Sequence, residues 1–230
     1  MKNYPEKATE NFDTATFHIK YCLYFIKKYI SGKVLEVGAG CGSFTKNYFD
    51  KNYHLTLTEV DKKNFIDLKE KFKTQGNIKV ENSQIGLIKG KFNTIMYLHV
   101  LEHIQDDFQE LKDAIEKLES NGYLVIMAPA HQNIYGNLDK AVGHYRRYEK
   151  DFFKENLLGL HREKFLFLDT IGYWLYYLNK LFFKEEVFPS KFKIFVWDKF
   201  CTPVSIICDY LTNYKYGKCI LAVYKKKIIN

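Results

Sequence analysis

Paired cysteines, linkers and membrane-length apolar runs are all missing from this sequence, and each absence removes a class of protein. The 230 residues include five cysteines, Cys22, Cys41, Cys201, Cys208 and Cys219, an odd number without a C-x-x-C pair. That usage fits reduced thiols in a cytoplasmic protein and argues against a disulfide framework or structural zinc. There are four prolines, no Pro- or Ser-rich linker and no internal repeat, so residues 1–230 are expected to form a single domain. A helix that crosses a bilayer needs about 20 largely apolar residues. The best stretch, residues 171–183, is too short and contains Asn179 and Lys180, while residues 194–211 are broken by Asp198, Lys199, Pro203 and Asp209. The opening MKNYPEKATENFD is too polar for a secretory signal.

What is present is the composition of a globular fold. Hydrophobic residues make up 47% and charged residues 27%, which excludes a disordered chain. A chain this long buries roughly 70% of its unfolded surface and needs no disulfide or metal to fold. The formal net charge is +8, but the lysines are scattered, so the surplus selects no anionic partner and no nucleic acid is expected.

Apolar runs at residues 33–40, 54–61, 77–82, 92–100 and 123–129 alternate with helical patterns. The fourth and fifth runs are continuously apolar, as strands buried on both faces are. A helix is predicted over residues 106–118, with Phe108, Leu111, Ala114, Ile115 and Leu118 on one stripe. Asp106 and Gln109 read as its capping box and Asn121-Gly122 as its stop. A leading helix is predicted over residues 15–30, within an N-terminal helical segment 1–31. This alternation predicts an α/β fold, a parallel sheet covered by helices on both faces.

Residues 171–213 differ, because aromatics crowd together there, among them Tyr173, Trp174, Tyr176, Phe182, Phe183 and Trp197. They read as a helical insert before a closing strand at residues 219–224. A subdomain packed on the sheet or a homodimer contact is one reading. A lid over an apolar substrate, or a peripheral contact with lipid headgroups, is the other.

The most informative stretch is Glu36-Val37-Gly38-Ala39-Gly40-Cys41-Gly42-Ser43. Glycines at a strand end let the backbone turn tightly and approach a ligand closely. A dinucleotide turn calls for G-x-G-x-x-G, whereas the spacing here is G-x-G-x-G, with an acid two residues ahead. That acid repels a pyrophosphate and attracts an ammonium group. The second strand closes on Glu59 and Asp61, placed to accept both hydroxyls of a ribose. A positively charged nucleoside without phosphate, S-adenosylmethionine, fits this set.

E-x-G-x-G-x-G followed by an acid at the end of the second strand resembles the class I S-adenosylmethionine-dependent methyltransferases. Phe92-Asn93-Thr94-Ile95 through His99-Val100-Leu101-Glu102-His103 is similar to the "fD-x-V … VLEH" segment of small-molecule members. Pro129-Ala130, Tyr135-Gly136, Asp139 and Gly143-His144-Tyr145-Arg146-Arg147-Tyr148 resemble a subgroup with a GHYRRY loop, linked to glycan synthesis. The resemblance covers residues 15–169 and the closing strand. It implies a Rossmann-like, doubly wound, mostly parallel seven-stranded sheet. It also implies methyl transfer to an oxygen or nitrogen of a small-molecule, sugar-linked or lipid-linked acceptor. Cofactor contacts carry over to Glu36, Gly38, Ala39, Gly40 and Gly42, and to Glu59, Val60 and Asp61. Leu98 and His99 follow from the fourth strand. Ser83 and Gln84 stand where an adenine-contacting acid is common, leaving Gln84 to read the adenine amino group. Asn93 replaces the usual acid after Phe92, a change expected to concern loop packing.

In an open parallel sheet the acceptor lies beyond the carboxyl ends of the strands. His99 and His103 follow the fourth strand, His131 the fifth, and His144 the loop after it, so all four are expected at one rim. His103, His131 and His144 are candidate bases, with a helix cap as the alternative for His103. Arg146 and Arg147, flanked by Tyr145 and Tyr148, read as a clamp for an anionic acceptor. The alternative is a solvated pair bonded to Glu149 or Asp151. His99-x-x-Glu102-His103 is similar to the E-x-x-E-H metal motif of some O- and RNA-end methyltransferases, but the reading adopted assigns no metal. An RNA methyltransferase is the rival function. Tyr97-Leu98-His99-Val100 lacks the [DN]-P-P-[YF] grip on a base amine, and no Pro-Cys pair is present. A non-catalytic cofactor-binding scaffold is the third reading.

Overall fold

Strand β1 (Lys33–Val37) sends Val34 into one apolar layer and Leu35 and Val37 into the other. β4 (Phe92–Leu98) divides Ile95 and Tyr97 from Met96 and Leu98 in the same way, and both faces are dry. A strand buried on two faces has no polar alternation, which is why these runs read as continuously apolar. β2 (His54–Thr58) and β3 (Ile78–Glu81) extend the parallel sheet on one side of β1. β4 and β5 (Leu118–Pro129) extend it on the other. β8 (Cys219–Lys225) runs antiparallel to β5, and β7 (Leu160–Leu168) antiparallel to β8. The two-residue β6 (Asn156–Leu157) closes the edge. The strand order is therefore β3-β2-β1-β4-β5-β8-β7-β6. The computed structural model describes residues 14–182 and 188–227. Residues 1–13 of the expected N-terminal segment, 183–187 of the expected insert (Phe183 among them) and 228–230 lie outside the described residues.

α1 (Thr16–Ile26) and α3 (Lys62–Lys71) bury Ile19, Cys22 and Leu68 against one face of the sheet. α4 (Asp107–Lys117) buries Leu111 and Ala114 against the other. α2 (Thr45–Tyr48) follows the glycine turn, and α5 (Asn137–Ala141) lies in the loop after β5. Among the described residues of the aromatic segment are α6 (Thr170–Phe182), α7 (Lys191–Val196), a π-helical turn (Trp197–Cys201) and α8 (Thr202–Leu211).

Three expectations change. The sheet has eight strands among the described residues rather than seven, and it is mixed. His161, Arg162, Glu163 and Lys164 crowd the first half of β7, so its alternation is hidden by charge. β5 starts at Leu118, paired with Phe92, well before residue 123. Asn121, at φ 62°, lies in an irregularity of that strand and does not stop the helix. Only half of the capping box forms: Asp106 Oδ1 accepts from the Gln109 N–H at 3.0 Å, while the Gln109 side chain donates to Asp113 instead.

The insert is tied down by buried aspartates. Asp198 accepts the N–H groups of Phe17 and His18, capping α1 from 180 residues away, since Ala15 has no side chain to do so. Asp209 accepts from the Asp169 and Thr170 N–H groups, the Thr170 hydroxyl and the Tyr21 hydroxyl. Among the described residues, no helix is long and apolar enough to cross a membrane.

Candidate active site

The glycine turn between β1 and α2 has left-handed backbone at Gly38 (φ 64°) and Gly42 (φ 74°). A Cβ at Gly38 would stand 2.8 Å from Val100 Cγ1, and one at Gly42 would stand 2.7 Å from Phe72 Cε2. Both positions therefore exclude a side chain sterically as well as conformationally. The Gly38 N–H reaches Thr58 Oγ1 at 3.3 Å and the Ala39 N–H reaches the Thr58 carbonyl at 2.8 Å, which joins the turn to the end of β2.

Two buried carboxylates flank this turn. Glu59 accepts the Gly40 N–H on one oxygen and the Asp61 N–H on the other, each at 2.9 Å. Burial raises its pKa, and those two N–H groups oppose the rise. Asn82 fixes the same strand end by donating to the carbonyls of Glu59 and Val60. Glu36 lies below the turn, where one oxygen accepts the hydroxyls of Thr45 and Tyr48 at 2.6 Å each. Burial pushes its carboxyl up to about 7, against the pull of those two hydrogen bonds. Asp61 Oδ1 caps α3 at the Asn64 N–H. Val60 and Gln84 are exposed, Leu98 and Ala39 are buried, and the Ser83 hydroxyl bonds the Gln84 carbonyl. Asn93 accepts from the Lys33 N–H, so its role is the entry to β1.

Strand ends at the rim carry a second left-handed pair, His99 (φ 61°) after β4 and His131 (φ 66°) after β5. For residues with a Cβ this costs about 1 kcal/mol or more each, and such outliers cluster at functional sites. The four rim histidines separate into two groups. His131 stacks on Phe167 with an 8° interplanar angle and meets Tyr173 edge-on. The other three surround Glu102, which lies in the 3-10 turn Leu101–His103 and is completely buried. His99 Nδ1 is 3.5 Å from Glu102 Oε1 and His144 Nε2 is 3.8 Å from it. The His103 and His144 rings meet edge-on with centroids 4.6 Å apart. Burial alone would push the Glu102 carboxyl up, but the three imidazoles outweigh it and hold the carboxyl below its usual range. Burial drives His103 down to about 4.

His144 is aimed by Asp139, whose Oδ1 bonds its Nδ1 at 2.8 Å. Asp139 also accepts the Arg147 Nε–H on both oxygens, the Tyr176 hydroxyl and the Gly136 N–H. Burial opposes its ionisation, yet His144 and Arg147 hold it well below the usual carboxylate range. The anion-clamp reading of the two arginines is corrected here. Arg147 is 6% exposed, is paired with Asp139 and lies over the Tyr176 ring. Arg146 bonds Asp107 and the Gln105 carbonyl. Neither uses Glu149 or Asp151, because the loop folds back onto the 3-10 turn through the Tyr145 N–H to the Glu102 carbonyl. Tyr145 itself stays exposed.

Asn82, Asp139 and Glu102 were not among the predicted site residues, although Glu102 stood in the VLEH segment and in the likeness to a metal motif. Asp139 carried a signal, since it stands in the subgroup's loop pattern. Asn82 carried none, because its part is purely to bond backbone from a neighbouring strand.

The family model described as a methyltransferase domain matches residues 20–165. No curated protein matches the chain in sequence. Among solved structures, coclaurine N-methyltransferase bound to N-methylheliamine and SAH is similar with a TM-score of 0.63 at 13% identity, covering 92% of this chain and 72% of that one. A SAM-dependent methyltransferase from Archaeoglobus fulgidus gives 0.61 at 19% identity over 92% and 94% of the two chains. The N-methyltransferase NodS from Bradyrhizobium japonicum WM9, in complex with SAH, gives 0.59 at 13% identity over 98% and 89%. A sheet with β1 ending in a glycine turn, a buried acid closing β2, and a family match over more than half the chain lead to one conclusion: this chain belongs to the methyltransferase-domain family and has its Rossmann-like fold.

Proposed function

We propose that the chain moves the methyl group of S-adenosylmethionine to an oxygen or nitrogen of a small-molecule acceptor, sugar-linked or lipid-linked. The observation that carries this reading is Glu59. Its buried carboxylate is pinned by the Gly40 and Asp61 N–H groups at the mouth of the glycine turn, where a ribose diol finds acceptors and a phosphate finds repulsion. Glu36, whose Oε2 accepts the Thr45 and Tyr48 hydroxyls, supplies the second carboxyl group of the same turn. SAH bound in relatives of the same fold supports the choice of donor.

Methyl transfer from a sulfonium is an in-line displacement whose leaving group is already activated. The chain's task is to hold the acceptor atom about 3 Å from the methyl carbon, collinear with the breaking bond. The acceptor's proton leaves towards the histidines around Glu102, with His131 and Tyr145 on the acceptor side. The exposed apolar face of the insert, including Trp174, Leu178, Phe182 and Phe192, supports an acceptor or partner with an apolar part.

The test is calorimetric titration with S-adenosylmethionine and with a nicotinamide dinucleotide. The first is expected to bind and the second not, and the reverse would overturn the reading. Glu59→Gln weakens donor binding by about 10- to 100-fold, the worth of a charged hydrogen bond of about 1.5–3 kcal/mol. Unchanged affinity would show that the ribose lies elsewhere.

A further inference from the structure

We propose that Glu102, His103 and His144 form a site for one divalent first-row transition-metal ion at the rim of the sheet. Each of the three offers one donor atom, and these atoms all lie within 4.8 Å of one another. Around a tetrahedral ion with bonds of about 2.0–2.1 Å, donors stand roughly 3.4 Å apart, so small side-chain rotations close this set on an ion.

Glu102 gives the independent reason to expect a ligand. Its side chain is 1% exposed, and neither carboxylate oxygen accepts a hydrogen bond among the described residues. Buried carboxylates ordinarily have donors, a charged partner or a metal. The nearest nitrogens, His99 Nδ1 at 3.5 Å and His144 Nε2 at 3.8 Å, lie within ion-pair distance but beyond the length of a good hydrogen bond.

The orientation of His144 points the same way. With its Nδ1 bonded to Asp139 Oδ1 at 2.8 Å, the ring directs Nε2 at Glu102 Oε1, 3.8 Å away. The Asp139–His144 bond has the form of the carboxylate–histidine–metal arrangement that fixes tautomer and ring direction. Asp139 is itself locked by Arg147 and Tyr176. His103 is oriented by a hydrogen bond to the Gly143 backbone. The motif-based set of His99, Glu102 and His103 thus becomes Glu102, His103 and His144, because the loop after α5 folds back over the 3-10 turn.

Two imidazoles and one carboxylate suit zinc, iron(II) or cobalt(II), and three protein ligands leave a position open. The use of the ion deepens the proposed reaction and rests on that reading. An acceptor hydroxyl in the open position becomes more acidic on the ion and, with His103 and His144 taken up as ligands, releases its proton to solvent rather than to those rings. Its oxygen then forms the O–CH3 bond as the S–CH3 bond breaks, giving a methyl ether and neutral S-adenosylhomocysteine.

The test is titration of the full, metal-stripped chain with cobalt(II), followed by its visible d–d absorption, with displacement by zinc(II) in the calorimeter. Wild type is expected to take up one ion per chain. Glu102→Gln and His144→Gln are expected to weaken uptake about tenfold or more, the least that even an outer-shell partner is worth. His54→Gln, on an exposed histidine at the far end of β2, is expected to leave it unchanged. S-adenosylhomocysteine binding by the same samples reports folding and donor binding separately. Uptake that is absent, or equal in all variants, overturns the metal site. If donor product still binds in that case, the methyl-transfer reading stands alone. One-to-one uptake without any binding of donor product keeps the metal site and removes the reaction built on it.

Discussion

Glu36 makes the stability of this fold depend on pH in a direction opposite to that of most carboxylates. Burial lifts its carboxyl to about 7, although Thr45 and Tyr48 donate to it, against about 4.5 for an exposed glutamate. At 1.36 kcal/mol for each pKa unit, the difference is worth about 3 kcal/mol. A raised pKa means that the folded chain binds more protons than the unfolded one between about pH 4.5 and 7, so stability falls as pH rises through that window and is level above it. Glu36→Gln keeps an oxygen for both hydroxyls and has no proton to lose. The variant is therefore expected to gain about 2–3 kcal/mol over wild type on going from pH 5 to pH 8. For a chain of this size that is a relative rise in Tm of about 5–10 °C. The assay is a set of thermal melts of both proteins at the two pH values in one buffer series. An offset between variant and wild type that is the same at both would refute the reasoning, since it would mean that Glu36 folds with the same proton occupancy that it has unfolded.

Two further perturbations follow from the geometry. Arg147→Ala leaves Asp139 buried without its main cation and is expected to cost about 3–5 kcal/mol in chemical denaturation, as broken buried pairs do. Arg146→Ala, at a partly exposed pair, is expected to cost about 1 kcal/mol or less, and equal losses would contradict the burial argument. Gly38→Ala combines left-handed backbone with a contact on Val100, and is expected to destabilise by about 1–3 kcal/mol. Adding Val100→Ala should recover the steric part only, so full recovery in melts would show that the φ angle is not strained.

The parallel core of the sheet was legible because its residues state their surroundings locally. Val34-Leu35 and Ile95-Met96-Tyr97 are apolar on both faces, and runs this short and rich in strand formers read as strands covered on two sides. The glycine spacing and the acids Glu36 and Glu59 were legible for a similar reason, since a tight turn and the carboxyl groups that bond to it impose residue types at fixed distances along the chain. β7 was not legible, because Arg162, Glu163 and Lys164 interrupt its apolar pattern, and Arg162 and Lys164 are only partly buried. The arginine pair was misread because their aspartate partners lie 8 and 39 residues away, at Asp139 and Asp107.

The sequence by itself determined where the backbone must be dry and where it must turn, which is enough to specify the parallel core of the sheet and the glycine turn after β1. Tertiary structure alone decided the polar pairings. The cap of α1 comes from Asp198, and the imidazole that faces Glu102 comes from a loop 42 residues on. Apolar burial is a property of each residue summed along a strand, whereas a hydrogen bond or ion pair needs two atoms within about 3 Å, and only the folded chain brings distant partners that close.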